Sequence, residues 1–232
     1  MATYPTLVLL PGTDGTGALF HRFRDRCELE TQVVSYPPDE ILGYADLEDF
    51  VRKALPRNRS FILVAESFSG PIATSIASKA PEGLVGLVLC ASFIVSPVSY
   101  LRPFSAVLGV LPTAIPPFLL STFLMGRFRS DDLLAETQRS INEVRPDVLR
   151  HRLQEVLRVD YRTRMRKVKA PALYLRATED RVVSQAASRH FRQHCSHGKV
   201  VDIKAPHFLL QCCPRPAAAR IQQFAEHFAA NH

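Results

Sequence analysis

No basic stretch precedes the first apolar run of this sequence. MATYPTLVLLPGTDG reaches a glycine turn after only a few hydrophobic residues. A secretory leader needs a positive n-region and a longer apolar core, so this segment reads as a first β-strand and the expected location is cytoplasmic. Cysteine is scarce and odd in number: Cys27, Cys90, Cys195, Cys212 and Cys213. Without a leader, that favours reduced thiols over a disulfide framework. Internal repeats and low-complexity tracts are lacking. Residues 103–126 (PFSAVLGVLPTAIPPFLLSTFLMG) carry no charge and are long enough to span a bilayer. Pro112, Pro116 and Pro117 break that run into short helices, so no stable membrane insertion is expected.

What is present suits one globular α/β domain with an inserted subdomain. Of 232 residues, 47% are hydrophobic and 22% charged, which provides a sizeable core and is not a disorder-like balance. Continuous apolar runs (TLVLL, FILVA, LVGLVLCAS, ALYLRAT, and KVVDIKA with TQVVSY) alternate with helical patterns such as YADLEDFVRKAL, GPIATSIASKA, SQAASRHFRQHC and RPAAARIQQFAEHFAA. Leu19–Cys27 also reads as helical. Apolar runs of this kind belong to strands covered on both faces, and their alternation with helices predicts a parallel, doubly wound sheet of about six strands. The alternation stops between Phe93 and Val168. That stretch reads as helices only: LRPFSAVLGVL, PPFLLSTFLMGRF, SDDLLAETQRSINEV and RPDVLRHRLQEVLRVDYRTRM. Residues 1–93 and 168–232 are therefore expected to form the core, and 94–167 an all-helical cap over the carboxyl ends of the strands, where ligands of open α/β sheets bind.

Three polar residues fall at those ends. Ser67 follows FILVAE, Asp180 follows ALYLRATE, and His207 follows KVVDIKAP. A serine hydroxyl needs an imidazole to take its proton, and the imidazole needs a carboxylate to fix its tautomer and stabilise its cation. Alone, AESFSG is equally a helix cap, with Ser67 satisfying backbone N–H groups. The order Ser…Asp…His, each residue at a strand end, favours nucleophilic catalysis. Glu179 is a rival to Asp180. Glu66, adjacent to Ser67 on a tight turn, reads as a pocket-edge or salt-bridge residue, and Ser69 as a small packing residue.

PGTDGTG (11–17), AESFSG (65–70), ATEDRVV (177–183) and APHFLL (205–210) together resemble the α/β-hydrolase family over nearly the whole chain. The first motif is similar to that of PG-x-DGTG hydrolases and acyltransferases, a group that includes plastid phytyl-ester synthases. The resemblance implies a capped serine esterase with an oxyanion loop, a nucleophile elbow, an acid loop and a histidine loop. It also implies that the oxyanion hole uses the N–H groups of Thr13 and Phe68. Two departures stand out. Ala65 and Ser69 replace the elbow's flanking glycines, with Gly70 one position late, and Pro11-Gly12 replaces the common His-Gly.

Other signals point to no cofactor and no metal. GTDGTG lacks the lysine and spacing of a P-loop. His190 and His194 lie one helical turn apart, but no second ligand pair has suitable spacing, so a solvated helix end is expected. Cys212 and Cys213 read as packing thiols. The arginines between Arg127 and Lys167 have two readings: a solvated face with i, i+4 ion pairs, or a docking patch for an acidic acyl carrier protein. The net charge of +7 comes with no nucleic-acid motif, so no nucleic-acid partner is expected. The uncharged cap around Phe118, Leu119 and Phe123 predicts an apolar acyl or aryl substrate. Acyl transfer to an alcohol, and non-catalytic binding on the same scaffold, are the alternatives to ester or thioester hydrolysis.

Overall fold

The computed structural model describes residues 4–98 and 116–229. The predicted helix LRPFSAVLGVL and part of the uncharged cap therefore lie outside the described residues. Six strands form one parallel sheet: β1 (Thr6–Leu10), β2 (Thr31–Val33), β3 (Phe61–Glu66), β4 (Leu84–Cys90), β5 (Ala172–Ala177) and β6 (Lys199–Ile203). Their order is β2-β1-β3-β4-β5-β6. The chain steps outward from β1 to β2 and then returns to the far side of β1 as β3. The loops after β1 and β3 thus leave the sheet side by side at its switch point, where such sheets place ligands.

Every residue of β1 and β3 is buried, as the continuous apolar runs require. One face of the sheet packs Val8, Leu63 and Leu89 with Ile72 and Ile76, and the other packs Leu9, Ile62 and Leu175 with Leu210 and Ile221. The covering helices are α1 (His21–Arg24), α2 (Tyr44–Ala54) and α3 (Gly70–Ser78) in the first half of the chain. The region predicted as one helix over Leu19–Cys27 is a 3-10 turn, Ala18–Phe20, followed by the short α1.

Helices also occupy the described part of the stretch expected to form a cap. They are α4 (Pro117–Leu120), α5 (Asp131–Asn142), α6 (Pro146–Leu157) and α7 (Arg162–Met165). The Ser130 hydroxyl accepts the Leu133 N–H at 3.2 Å, with Asp131 and Asp132 in the first turn of α5. That arrangement satisfies the free donors and complements the helix dipole. Proline at the first position starts α6 in the same place as the sequence pattern does. The segment leaves and rejoins the core at one place: Ser96 N–H donates to Val159, and Tyr161 N–H to Ile94, at 3.0 and 2.7 Å. Met125 and Leu133 pack on Leu19 and Phe208, so the helical segment sits on the loops at the carboxyl edge as a cap. The remaining helices, α8 (Gln185–His194), α9 (Leu209–Cys212) and α10 (Pro214–Ala225), return to the core.

Candidate active site

β3 ends at Glu66, and the next residue turns sharply. Ser67 has φ 46°, a left-handed conformation that a side chain adopts only under local constraint. The turn is tight because α3 starts only three residues later, against the chain leaving β4. A Cβ on Gly70 would collide with the Ser92 side chain and approach the Phe93 carbonyl at 3.1 Å. This explains a glycine at position 70 rather than 69. Ser69 does more than pack: its hydroxyl donates to the Pro11 carbonyl while accepting the Tyr36 phenol at 2.6 Å. The Ser67 carbonyl accepts the Ser92 hydroxyl at 2.5 Å, which fixes the turn from the other side.

Ser67 Oγ lies 2.9 Å from His207 Nε2, and His207 Nδ1 lies 2.9 Å from Asp180 Oδ2. Both members of the His–Asp pair are almost wholly buried. The other Asp180 oxygen accepts the Val182 and Val183 N–H groups at 2.7 and 2.8 Å, which holds the carboxylate against the histidine. Glu179 faces elsewhere and forms a two-pronged pair with Arg127 at 2.8 and 2.6 Å. Of the two adjacent carboxylates, Asp180 is the one brought to the histidine.

Thr13 lies in the loop after β1, on the wall of the same cavity as Ser67. Phe68 follows the serine; its ring is buried and stacks on Tyr44 with ring centres 4.8 Å apart. Asp14 and Thr16 turn toward the cap. Asp14 Oδ2 accepts the Thr16 hydroxyl at 2.6 Å and the Ser140 hydroxyl of α5 at 2.7 Å. One cap arginine corrects the expectation of a solvated basic face. Arg152 is fully buried and donates to the carbonyls of Thr13, Asp14 and Pro37. It occupies the inner stripe of α6 with Val148 and Leu149 and has no water to face. Burial pulls its pKa down, against the raising effect of Tyr36 and Asp14, but an arginine remains charged. Other cap arginines are paired at the surface, Arg145 with Asp147 and Arg162 with Asp160, both at 2.5 Å.

Above Ser67 and His207 lies a cavity of about 370 Å³ whose walls are mostly apolar. Leu119 and Phe123 line it, together with Leu124, Ile141, Leu149 and Phe208. Phe118 does not and is 64% exposed, contrary to the expectation from sequence. Leu120 takes the inward position on this short helix, and a residue two places earlier lies about 200° around the axis.

Glu66 also lines the cavity, but as a buried carboxyl and not a salt-bridge partner. Its bonded neighbour is the Gln211 amide, 3.0 Å from Oε2, while its Oε1 and the Gln211 Oε1 have no hydrogen-bond partner. Burial raises the Glu66 pKa to about 7, against the lowering effects of Gln211 and His207. Nothing in the sequence marked Gln211. Its position on α9, four residues after His207, is the only signal that could have found it.

Cys212 packs with Leu19, Met125 and Leu133, and burial pushes its thiol up to about 12. His194 Nδ1 bonds the His190 carbonyl within one turn at 2.8 Å. Among the described residues no group of three or more His, Cys, Asp or Glu side chains is arranged to hold a metal ion. No described helix is long and apolar enough to cross a membrane.

A family model described as serine aminopeptidase, S33 (Hydrolase_4) matches residues 41–205. No curated protein matches the chain. Solved structures share the fold at low identity. A bromoperoxidase from Bacillus anthracis superposes with a TM-score of 0.83 at 15% identity, covering 97% of this chain and 92% of that one. An esterase from Exiguobacterium antarcticum gives 0.80 at 12% identity, covering 97% and 93%. An enol-lactonase from Burkholderia xenovorans LB400 gives 0.74 at 15% identity, covering 96% and 91%.

Proposed function

This chain belongs to the serine aminopeptidase S33 (Hydrolase_4) family of α/β hydrolases, and we propose that it is a serine esterase acting on a carboxylic ester or thioester with an apolar acyl or aryl group. The observation that carries the reading is the unbroken relay from Ser67 Oγ through His207 to Asp180, two contacts of 2.9 Å, on the floor of an apolar cavity. The Ser67 oxygen attacks the carbonyl carbon as His207 Nε2 takes its proton. The Asp180 carboxylate, held by two backbone N–H groups, stabilises the resulting imidazolium. The Thr13 and Phe68 N–H groups receive the oxyanion. His207 then protonates the leaving alcohol or thiol, leaving an acyl-Ser67 ester that water cleaves by the reverse proton path.

An amide substrate is less suited to this site than an ester. The described cavity walls offer Glu66 and Asp14 as their acidic side chains, and both are engaged, by Gln211 and Ser140 respectively. A peptide ammonium group would have to displace the Ser140–Asp14 bond or give up its hydration to reach the one unpaired oxygen of the buried Glu66. The test is a fluorophosphonate probe together with p-nitrophenyl esters of increasing chain length and aminoacyl anilides. Labelling at Ser67 and preference for apolar esters are expected. Ser67→Ala and His207→Ala should each lose several orders of magnitude in kcat with the fold intact. Near-wild-type ester turnover by purified Ser67→Ala protein would overturn the assignment.

A further inference from the structure

We propose that Arg152 is a positioning residue for the oxyanion loop: from cap helix α6 it fixes the peptide that carries the Thr13 N–H. The inference rests on the esterase reading above, in which that N–H receives the oxyanion.

The Thr13 N–H belongs to the Gly12–Thr13 peptide. The oxygen of that peptide, on Gly12, accepts the Gly15 N–H at 3.1 Å. The peptide is trans, so its N–H points away from its carbonyl and out of the turn. Its orientation depends on the peptides to either side. On the N-terminal side, the Pro11 carbonyl is held by the Ser69 hydroxyl. On the C-terminal side, Arg152 Nη1 holds the Thr13 and Asp14 carbonyls at 3.2 and 2.7 Å, and Nη2 holds Pro37 beyond β2 at 2.9 Å. The two clamps meet at Tyr36. Its phenol donates into the Ser69 chain, and its ring centre lies 5.7 Å from the Arg152 guanidinium carbon.

The glycine at position 15 follows from the same contact. It has φ +74°, and a Cβ there would run into the Arg152 guanidinium. A second tether, from Ser140 to Asp14, ties α5 to the same loop. The motif DGTG thus reads as a docking surface for the cap: Asp14 and Thr16 take Ser140, and Gly15 makes room for Arg152. A guanidinium suits the task because its planar fork serves three carbonyls at fixed angles, which an ammonium point charge does not.

The experiment compares Arg152→Met, Arg152→Lys and Ser140→Ala with wild type in the full chain. It measures kcat and KM for one p-nitrophenyl ester, affinity for a trifluoromethyl ketone that forms a tetrahedral adduct, and the melting temperature. Loss of one oxyanion donor costs about 10²–10³ in kcat. Arg152→Met is therefore expected to lose roughly 10²-fold in kcat with KM little changed, and to lose ketone affinity in parallel with kcat/KM. Arg152→Lys should fall between, and Ser140→Ala should move in the same direction by less. If Arg152→Met does not fold, the lysine and alanine variants carry the same comparison. Wild-type kcat in the folded variants, or a loss confined to KM, overturns the inference. If wild type neither labels at Ser67 nor turns over esters, it is the esterase reading that has failed, and the two failures are separable.

Discussion

Replacing Glu66 by glutamine should make the protein more stable at alkaline pH and change it little at acid pH. Glu66 is buried, and its pKa rises from 4.5 to about 7, mainly because burial disfavours the charged form. The groups whose charges act on it, or on which it acts, are His207, Asp14, Cys90 and Cys212, with Gln211 as its hydrogen-bond donor. Between the two pKa values the folded state binds more protons than the unfolded one, so stability falls as pH rises through that window. Below about 4.5 both states hold the neutral acid and there is no penalty. Above 7 the folded state carries a buried carboxylate. The difference of about 2.5 pKa units corresponds to roughly 3 kcal/mol, a large share of the 5–15 kcal/mol typical of a whole domain.

The assay is urea unfolding of wild type and Glu66→Gln at several pH values from 5 to 9. Titrating groups remote from position 66 act alike in both proteins, so the difference between the curves reports Glu66 together with the groups it acts on, His207 among them. That difference should grow by about 3 kcal/mol over the range, or several degrees in melting temperature for a chain of this size. Gln211→Leu should steepen the wild-type pH dependence, because it removes the one bond that favours the carboxylate. A stability difference between wild type and Glu66→Gln that stays flat from pH 5 to 9 would refute the reasoning.

The other predictions concern the acid, the pocket and the surface. Asp180→Asn should lose orders of magnitude in kcat, while Glu179→Gln loses little, because only Asp180 touches His207; reversed losses in steady-state kinetics would move the acid to Glu179. Leu119→Ser and Phe123→Ser should weaken kcat/KM increasingly along an ester series, since each buried methylene is worth about 0.8 kcal/mol, roughly fourfold. Phe118→Ser should leave that series unchanged, because Phe118 lies outside the cavity. Reversing Arg158 and Arg162 to glutamate should leave small-ester kinetics unchanged, since both are solvent-facing. A salt-sensitive loss seen only with a carrier-bound acyl substrate would identify those arginines as a docking patch.

The core of the fold was legible because β1, β3 and β4 are short, continuous apolar runs, and the site because polar residues follow the ends of β3, β5 and β6. The same regularity puts Ser67, Asp180 and His207 at one edge of the sheet. Where the pattern failed, side-chain direction had been inferred from composition alone. Phe118 reads as a pocket residue by its hydrophobicity, but on a helix of only four residues one turn decides which side is inward, and Leu120 holds that side. The Glu66–Gln211 pair was hidden for a different reason. Neither residue is unusual in its own segment, and only the fold brings β3 and α9 together.

The position of Arg152 carries a signal that its residue type obscures. Val148, Arg152 and Val156 lie four residues apart on one helix, so they share a face. Val148 is buried, and Val156 packs against the core. An arginine in the middle of an apolar stripe cannot be solvated. It must find partners inside, and in a loop-rich neighbourhood those partners are backbone carbonyls. Read by register and not by charge count, the cap would have separated this arginine from Arg145, Arg158 and Arg162, which pair with carboxylates at the surface. The glycine at position 15 supplies the other half of that reading. It leaves the loop without a side chain at the point where the guanidinium enters. The oxyanion motif and the cap helix therefore constrain each other's sequence, although 137 positions separate Gly15 from Arg152.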